Sequence, residues 1–209
     1  LLDLNFLGIN NLLLLRGDSK PLDIAEKDLC LYHEHATDLQ EQVNRFNQGI
    51  GLDGSKIEGI ETPFSYGMAC YPEKHEEAPN MESDLFYLKE KVRNGADYVV
   101  TQMFFDNEKY YAFVERCRQE GIDVPIIPGI KPVVFKNQLN VLPKVFRTDI
   151  PEAFASELRK CTTDEEVKAV GVEWCKAQCK DLLAHGVPGL HFYTFMASDS
   201  VYKVAKEVY

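Results

Sequence analysis

Apolar residues in this chain gather in short unbroken runs instead of alternating with polar ones. The runs in "INNLLLLRGD", "FSYGMACY", "DYVVTQMFF", "VPIIPGI" and "GLHFYTF" predict strands over about 11–16, 64–71, 98–105, 124–130 and 189–195. Continuous apolar strands suit a parallel sheet that is covered on both faces. Helical spacing fills the gaps. "MESDLFYLKEKVRN" (81–94) puts Leu85, Leu88 and Val92 on one stripe and stops at Gly95, and "NEKYYAFVERCRQE" (107–120) stops at Gly121. After the fourth strand come "FKNQLNVLPKVF", "PEAFASELRK" and a long helix that starts at Thr163/Asp164 and stops at Gly186. "SDSVYKVAKEVY" opens on a Ser/Asp cap as a closing helix, and "LLDLNFLGIN" reads as the last turns of a helix closed by Gly8.

Regular βα alternation leaves two architectures, an open doubly wound sheet or a (β/α)8 TIM barrel. A dinucleotide-binding doubly wound sheet should carry GxGxxG after a strand, and the chain has none. The expected fold class is therefore α/β, a (β/α)8 barrel of which about five βα units lie in one domain over residues 1–209. About three more units are expected upstream of Leu1, in keeping with a start inside a helix.

Charge narrows the partners. The 209 residues hold 23 basic and 33 acidic side chains, a net charge of −10, with no Lys/Arg run. Neither nucleic acid nor an anionic membrane is expected as a partner. "LLLL" is far short of the ~20 apolar residues that a membrane span needs. The six cysteines are scattered without a CxxC, which suits a reducing cytoplasm. Cys175 and Cys179, one helical turn apart, lack a second ligand pair, so no metal is expected there.

In a barrel, chemistry collects where strands end. Here those ends are polar: Arg16, Gly17 and Asp18 after the first, Tyr71, Glu73 and His75 after the second, Gln102 in the third, Tyr193 and Thr194 on the fifth. Gln102 stands out as an amide in an apolar run, and leaving it unpaired would cost about 1–3 kcal/mol. Its partner is either a neighbouring strand's side chain or a ligand with adjacent donor and acceptor atoms. Asp18 could equally be a plain loop carboxylate or helix cap. "RGD" ends a buried strand and does not read as an adhesion loop. His33 and His35 in "YHEHAT" point opposite ways if extended, so a metal site with His75 is not favoured. Lys91 is by default a solvated helix lysine, although a dinucleotide phosphate would call for such a cation.

Taken together, "LLLLRGD", "YPEKHEEA", "DLFYLKEKVRNGADYVVTQMFFD", "GIDVPIIPGIKPV" and "GLHFYTF" resemble the methylenetetrahydrofolate reductase family, in the family's order and across nearly the whole chain. The resemblance implies a TIM barrel holding FAD at the C-terminal ends of its strands. NAD(P)H reduces the flavin and leaves, and the flavin then reduces 5,10-methylenetetrahydrofolate to 5-methyltetrahydrofolate. It implies FAD contacts at Arg16, Gly17, Asp18, Ala36, Ala69, Tyr71, His75, Ala78, Asp84 and Lys91. Folate contacts are implied at Asp18, Gln102, Gln138 and Leu142, with Asp18 and Gln102 the catalytic pair. An anionic Asp18 would stabilise the cationic iminium of the ring-opened folate. Loss of Gln102 should impair both half-reactions, and loss of Asp18 the folate half most. A bacterial-type, cytoplasmic homo-oligomer that uses NADH or NADPH is expected.

Two departures qualify that expectation. His35 stands where many relatives have Tyr, and Phe195, Met196 and Ala197 replace the family's Leu-Asn-Arg, so its Arg contact would be absent or supplied elsewhere, Lys203 being one source. The family's general-acid glutamate lies on the first barrel strand, outside these residues, so this stretch alone is expected to be incapable of turnover. Two alternatives stand beside this reading: a metal-dependent barrel lyase using His33, Glu73 and His75, and a non-catalytic flavin-binding barrel fragment.

Overall fold

The computed structural model describes residues 1–16, 33–60, 62–195 and 198–209. Fourteen elements follow in chain order: α1 (Leu2–Phe6), β1 (Asn11–Leu14), α2 (Ala36–Asn47), β2 (Ser65–Cys70), α3 (Met81–Arg93), β3 (Tyr98–Thr101), α4 (Asn107–Gln119), β4 (Ile126–Ile127), β5 (Gly129–Ile130), α5 (Gln138–Phe146), α6 (Glu152–Lys160), α7 (Asp164–Ala184), β6 (His191–Phe192) and α8 (Ser198–Val208). Helices α3, α4 and α7 start where polar caps sit. Asn80 accepts from the Ser83 amide at 2.8 Å, Asp106 from Glu108 at 3.1 Å, and Thr163 from Glu166 at 3.2 Å.

Among the described residues the named strands all pair in parallel. β1 pairs with β2, β2 with β3 and β3 with β4, while β5 pairs with β6. Only Pro128 separates β4 from β5, and its carbonyl accepts from the His191 amide at 3.0 Å. The two pieces are thus one kinked strand, joining all five predicted strands into a single arc in sequential order. A doubly wound sheet reverses its strand order midway; this arc does not, as a (β/α)8 barrel requires. Among the described residues the arc is not closed.

Register sorts the side chains into two sets. Leu12, Leu14, Tyr66, Met68, Cys70, Val99, Ile126, Ile130 and Phe192 pack outward against Val43, Phe46, Leu85, Leu88, Phe113, Cys117, Cys175, Cys179 and Leu182 of the surrounding helices. The opposite, inner set is linked by the pairs Leu13↔Gly67, Gly67↔Tyr98, Ala69↔Val100, Val100↔Ile127 and Gly129↔His191. Two tyrosines brace the inner face: the Tyr98 hydroxyl donates to the Leu12 carbonyl at 3.0 Å and the Tyr193 hydroxyl to the Thr101 carbonyl at 2.8 Å. Each ring crosses a glycine, Gly67 or Gly129, where a methyl group would lie 2.2 Å from the Tyr98 ring or from the Thr101 carbonyl oxygen, respectively.

The third strand ends sooner than its apolar run predicts, at Thr101 instead of near 105. The cause is local. The Met103 amide donates to the side-chain oxygen of Gln102 at 2.9 Å, so it does not extend the ladder. The first and last strands are likewise shorter than predicted, ending at Leu14 and Phe192. A second apolar cluster, Met103, Phe105, Val133, Leu142, Phe154, Leu158 and Val167, lies beyond the strand ends, under α5, α6 and α7.

Tyr66 ties α2 to the sheet. Its buried hydroxyl donates to Asn44 at 2.7 Å and accepts from the Gln40 amide at 3.2 Å. Tyr66→Phe removes both bonds, leaving the Gln40 amide with only the Lys91 carbonyl, with an expected loss of about 1–3 kcal/mol. Denaturant unfolding checks this; an unchanged midpoint would mean that the hydroxyl does not hold α2 in place.

Candidate functional site

The C-terminal ends of β1 and β2 bring most of the predicted cofactor residues together. Arg16, just past β1, donates both guanidinium ends to Glu77 at 2.9 and 2.7 Å. This pair closes the turn after β2 onto β1, and it holds the Glu77 carboxyl below its usual range. In that turn Tyr71 meets the His75 ring edge-on, with centroids 4.6 Å apart. The His75 amide donates to Asp84, in the first turn of α3, at 2.9 Å. The His75 Nδ1 accepts from the Glu77 amide at 3.2 Å, and Lys74, at a left-handed φ of 77°, donates to the Ala78 carbonyl at 2.5 Å.

Lys91 does not behave as a solvated helix lysine. It reaches back from α3 to donate to the Ala69 carbonyl at 3.1 Å, and burial pushes its ammonium below the usual lysine range. Ala69 belongs to the inner set of β2, and Ala78 is buried in the turn. The site is electrostatically one body. Burial, with Asp84 assisting, pushes the Tyr71 hydroxyl up to about 12, while Arg16 opposes the shift. Burial lowers the His75 imidazole, with Glu77 and Asp84 pulling the other way and Arg16 and Lys91 reinforcing it.

The remaining predicted residues lie apart from this cluster. Gln102, in register beyond β3 because its amide donates to the Cys70 carbonyl at 2.8 Å, lies at the same end of the sheet. Ala36 is the first residue of α2 and packs against the outer core. Gln138 turns its oxygen onto the Val134 and Phe135 amides at 2.8 and 3.2 Å, which fixes the loop after β5. Leu142 is buried in the second apolar cluster, where it acts as packing. Gly17, Asp18 and Ala197 lie outside the described residues. Lys203 is engaged on the surface with Asp199 at 3.4 Å.

The donor set of the lyase alternative does not assemble. His33 pairs with Gln42 at 2.5 Å, and Glu73 is held by Lys109 and by the Asp149 amide. Among the described residues no group of three His, Cys, Asp or Glu side chains could hold a metal ion. No described helix is long and apolar enough to cross a membrane. Sequence reasoning missed the Arg16–Glu77 pair and the Glu73–Lys109–Asp149 link, because "EKHEEA" does not say which acid faces which cation. It also missed Lys131, the buried lysine directly after β5.

His75 supplies a pH test. Its folded pKa lies below the ordinary 6.5, so the unfolded chain protonates first on acidification. The stability that His75 contributes is complete above 6.5 and declines as pH falls from there toward the folded value. The melting temperature of the wild type relative to His75→Gln should therefore fall between about pH 8 and pH 5. A difference that grows on acidification would contradict the neutral, Nδ1-accepting imidazole.

Comparison with known proteins adds a name to this geometry. The methylenetetrahydrofolate reductase family model matches residues 1–209. A probable methylenetetrahydrofolate reductase (NADPH) of Caenorhabditis elegans is 33% identical over 206 residues, covering 97% of this chain and 28% of that protein. Methylenetetrahydrofolate reductase (NADH) 1 of Arabidopsis thaliana is 35% identical over 210 residues, covering 92% and 32%. The 5,10-methylenetetrahydrofolate reductase of Escherichia coli is 39% identical over 142 residues, covering 68% and 48%. The chain thus spans between 28% and 48% of the length of these relatives. With the match running from first residue to last, and the quoted blocks falling on the strand ends where the site is built, the chain belongs to the methylenetetrahydrofolate reductase family.

Proposed function

We propose that this chain is part of a flavoprotein that reduces 5,10-methylenetetrahydrofolate to 5-methyltetrahydrofolate with NADH or NADPH. The observation that carries the reading is the convergence of Arg16, Tyr71, His75, Asp84 and Lys91 at one end of a parallel, sequential sheet in a chain of this family. The residues present fit FAD. Ala69 presents only a methyl group on the inner face, and two cations, Arg16 and the buried Lys91, suit a pyrophosphate. Bound there, FAD supplies the hydride relay between nicotinamide and folate.

The chain's own groups then have separable tasks. Arg16 and Lys91 offset phosphate charge, and Asp84, with one oxygen on the His75 amide, keeps an oxygen for a ribose hydroxyl. Tyr71 and His75 form an apolar-sided wall, their hydroxyl and imidazole neutral at physiological pH because burial disfavours the charged forms. Ala69 and Ala78 would shape the cofactor cleft with methyl side chains alone, while Ala36, packed against the outer core, would act only by setting the position of α2. Gly17 and Asp18 would face the flavin, and the Asp18 carboxylate would favour the iminium form of the substrate. Gln102 serves nicotinamide and pterin in turn, and Gln138, its oxygen held by the loop after β5, keeps its NH2 group for the folate, with Leu142 packing beneath. The test is steady-state reduction of methylenetetrahydrofolate by NADH and by NADPH, with 5-methyltetrahydrofolate identified chromatographically. Production of 5-methyltetrahydrofolate by the full-length protein that contains this chain is the expected result; its absence with both dinucleotides and added FAD would reject the proposal.

A further inference from the structure

Among the described residues Lys131 is the one charged side chain whose buried polar atom has no hydrogen-bond partner. It follows β5 directly, is only 3% exposed, and its ammonium has no hydrogen-bond partner. Its neighbour is the face of Phe195, with the ring centroid 4.7 Å away. A cation–π contact offsets only part of what burying an unpaired ammonium costs. Burial lowers its pKa, and the titratable side chain that pulls the other way is the Cys175 thiol of α7, not a carboxylate. A methionine or leucine would fill the same volume at no such cost.

Its position says what could compensate. Lys131 continues the inner set of β5 two residues past Gly129, opposite Tyr193, whose amide donates to the Ile130 carbonyl at 2.8 Å. It therefore lies at the same end of the sheet as Gln102. The surroundings are flat and aromatic: Tyr193 and His191 are 4.7 Å apart, and Phe146 lies 6.0 Å from Phe195. The phosphate-type cations, Arg16 and Lys91, sit across the arc at β1 and β2. One lone ammonium in an apolar, aromatic setting suits one compact oxyanion carried by an aromatic body.

We propose that Lys131 binds a carboxylate of the folate ligand, the end of its aminobenzoyl-glutamate tail, and so positions the folate on the β5–β6 side of the site. This assignment rests on the reductase reading above. The test uses the purified protein, Lys131→Met, Lys131→Gln and Lys131→Arg. Equilibrium binding of 5-methyltetrahydrofolate is compared with that of 5-methyltetrahydropteroate, which lacks the glutamate, alongside flavin content and the KM for NADH. Wild type should bind the glutamate form more tightly, by roughly 10- to 100-fold. Lys131→Met and Lys131→Gln should lose that preference with flavin content and NADH KM unchanged, Lys131→Arg should keep part of it, and Lys131→Met should melt no lower than wild type. Equal binding of both ligands by wild type, or an undiminished preference in Lys131→Met or in Lys131→Gln, overturns the assignment. A rise confined to the NADH KM overturns it in favour of the dinucleotide. Binding of neither ligand by the wild type rejects the reductase reading itself, and this assignment with it.

Discussion

Gly171→Ala is expected to destabilise the protein by about 3 kcal/mol, lowering the melting temperature by roughly 6–12 °C. Helix propensity alone predicts the reverse, since alanine is favoured over glycine inside a helix by about 1 kcal/mol. The sign turns on one contact. Gly171 lies in the middle of α7, and a methyl group there would meet the Val133 carbonyl oxygen at 1.9 Å and its carbonyl carbon at 2.8 Å. Those are backbone atoms of the segment leaving β5, so a side-chain rotation offers no relief. Either α7 moves outward, uncovering Val172 and Cys175, or the chain after Lys131 shifts. A thermal melt equal to or above that of wild type would show that α7 does not press on that segment as described.

Gln102→Ala is expected to lower kcat/KM on the order of 10²-fold, the usual loss when one well-placed donor at a reacting centre is removed. The structure gives the amide a defined direction. Its oxygen is fixed by the Met103 amide at 2.9 Å, which leaves the NH2 group as the donor at the strand end. Because nicotinamide and pterin are proposed to use the same position in turn, both half-reactions should slow, while flavin content and melting temperature change little. Stopped-flow measurement of each half-reaction separates the cases. Slowing confined to one half-reaction would mean that Gln102 serves one ligand only, and unchanged rates in both would remove it from the site.

How much of this was legible in the residues differs by feature. The five strands and the helices ending near Gly95, Gly121 and Gly186 were readable because apolar runs and helix stops are local signals, and each of those glycines adopts a positive φ. The helix α2 was not anticipated. Its sequence "ATDLQEQVNRFN" shows few apolar residues, and one of the three that it buries is Gln40, whose amide donates to the Lys91 carbonyl at 2.7 Å. A polar residue buried through long-range hydrogen bonds leaves no periodic trace. The early end of β3 was equally hidden, because it depends on a side chain bonding its neighbour's amide instead of on hydropathy.

The site divides along the same line. Which strand ends carry polar residues could be read directly, and the family blocks supplied their roles. The partners could not be read: Arg16 with Glu77, Lys91 with the Ala69 carbonyl, and Gln138 with the amides of its own loop all depend on tertiary placement. Lys131, between Ile130 and Pro132, reads as an ordinary loop lysine until the fold buries it.

The account as a whole depends on the inner end of the arc holding a flavin that both substrates reach. An anaerobic visible spectrum of the full-length protein that contains this chain tests that most directly. The expected result is flavin absorbance that bleaches on addition of NADH and returns on addition of methylenetetrahydrofolate. A colourless protein that takes up no FAD, or a reduced flavin that methylenetetrahydrofolate fails to reoxidise, would contradict it.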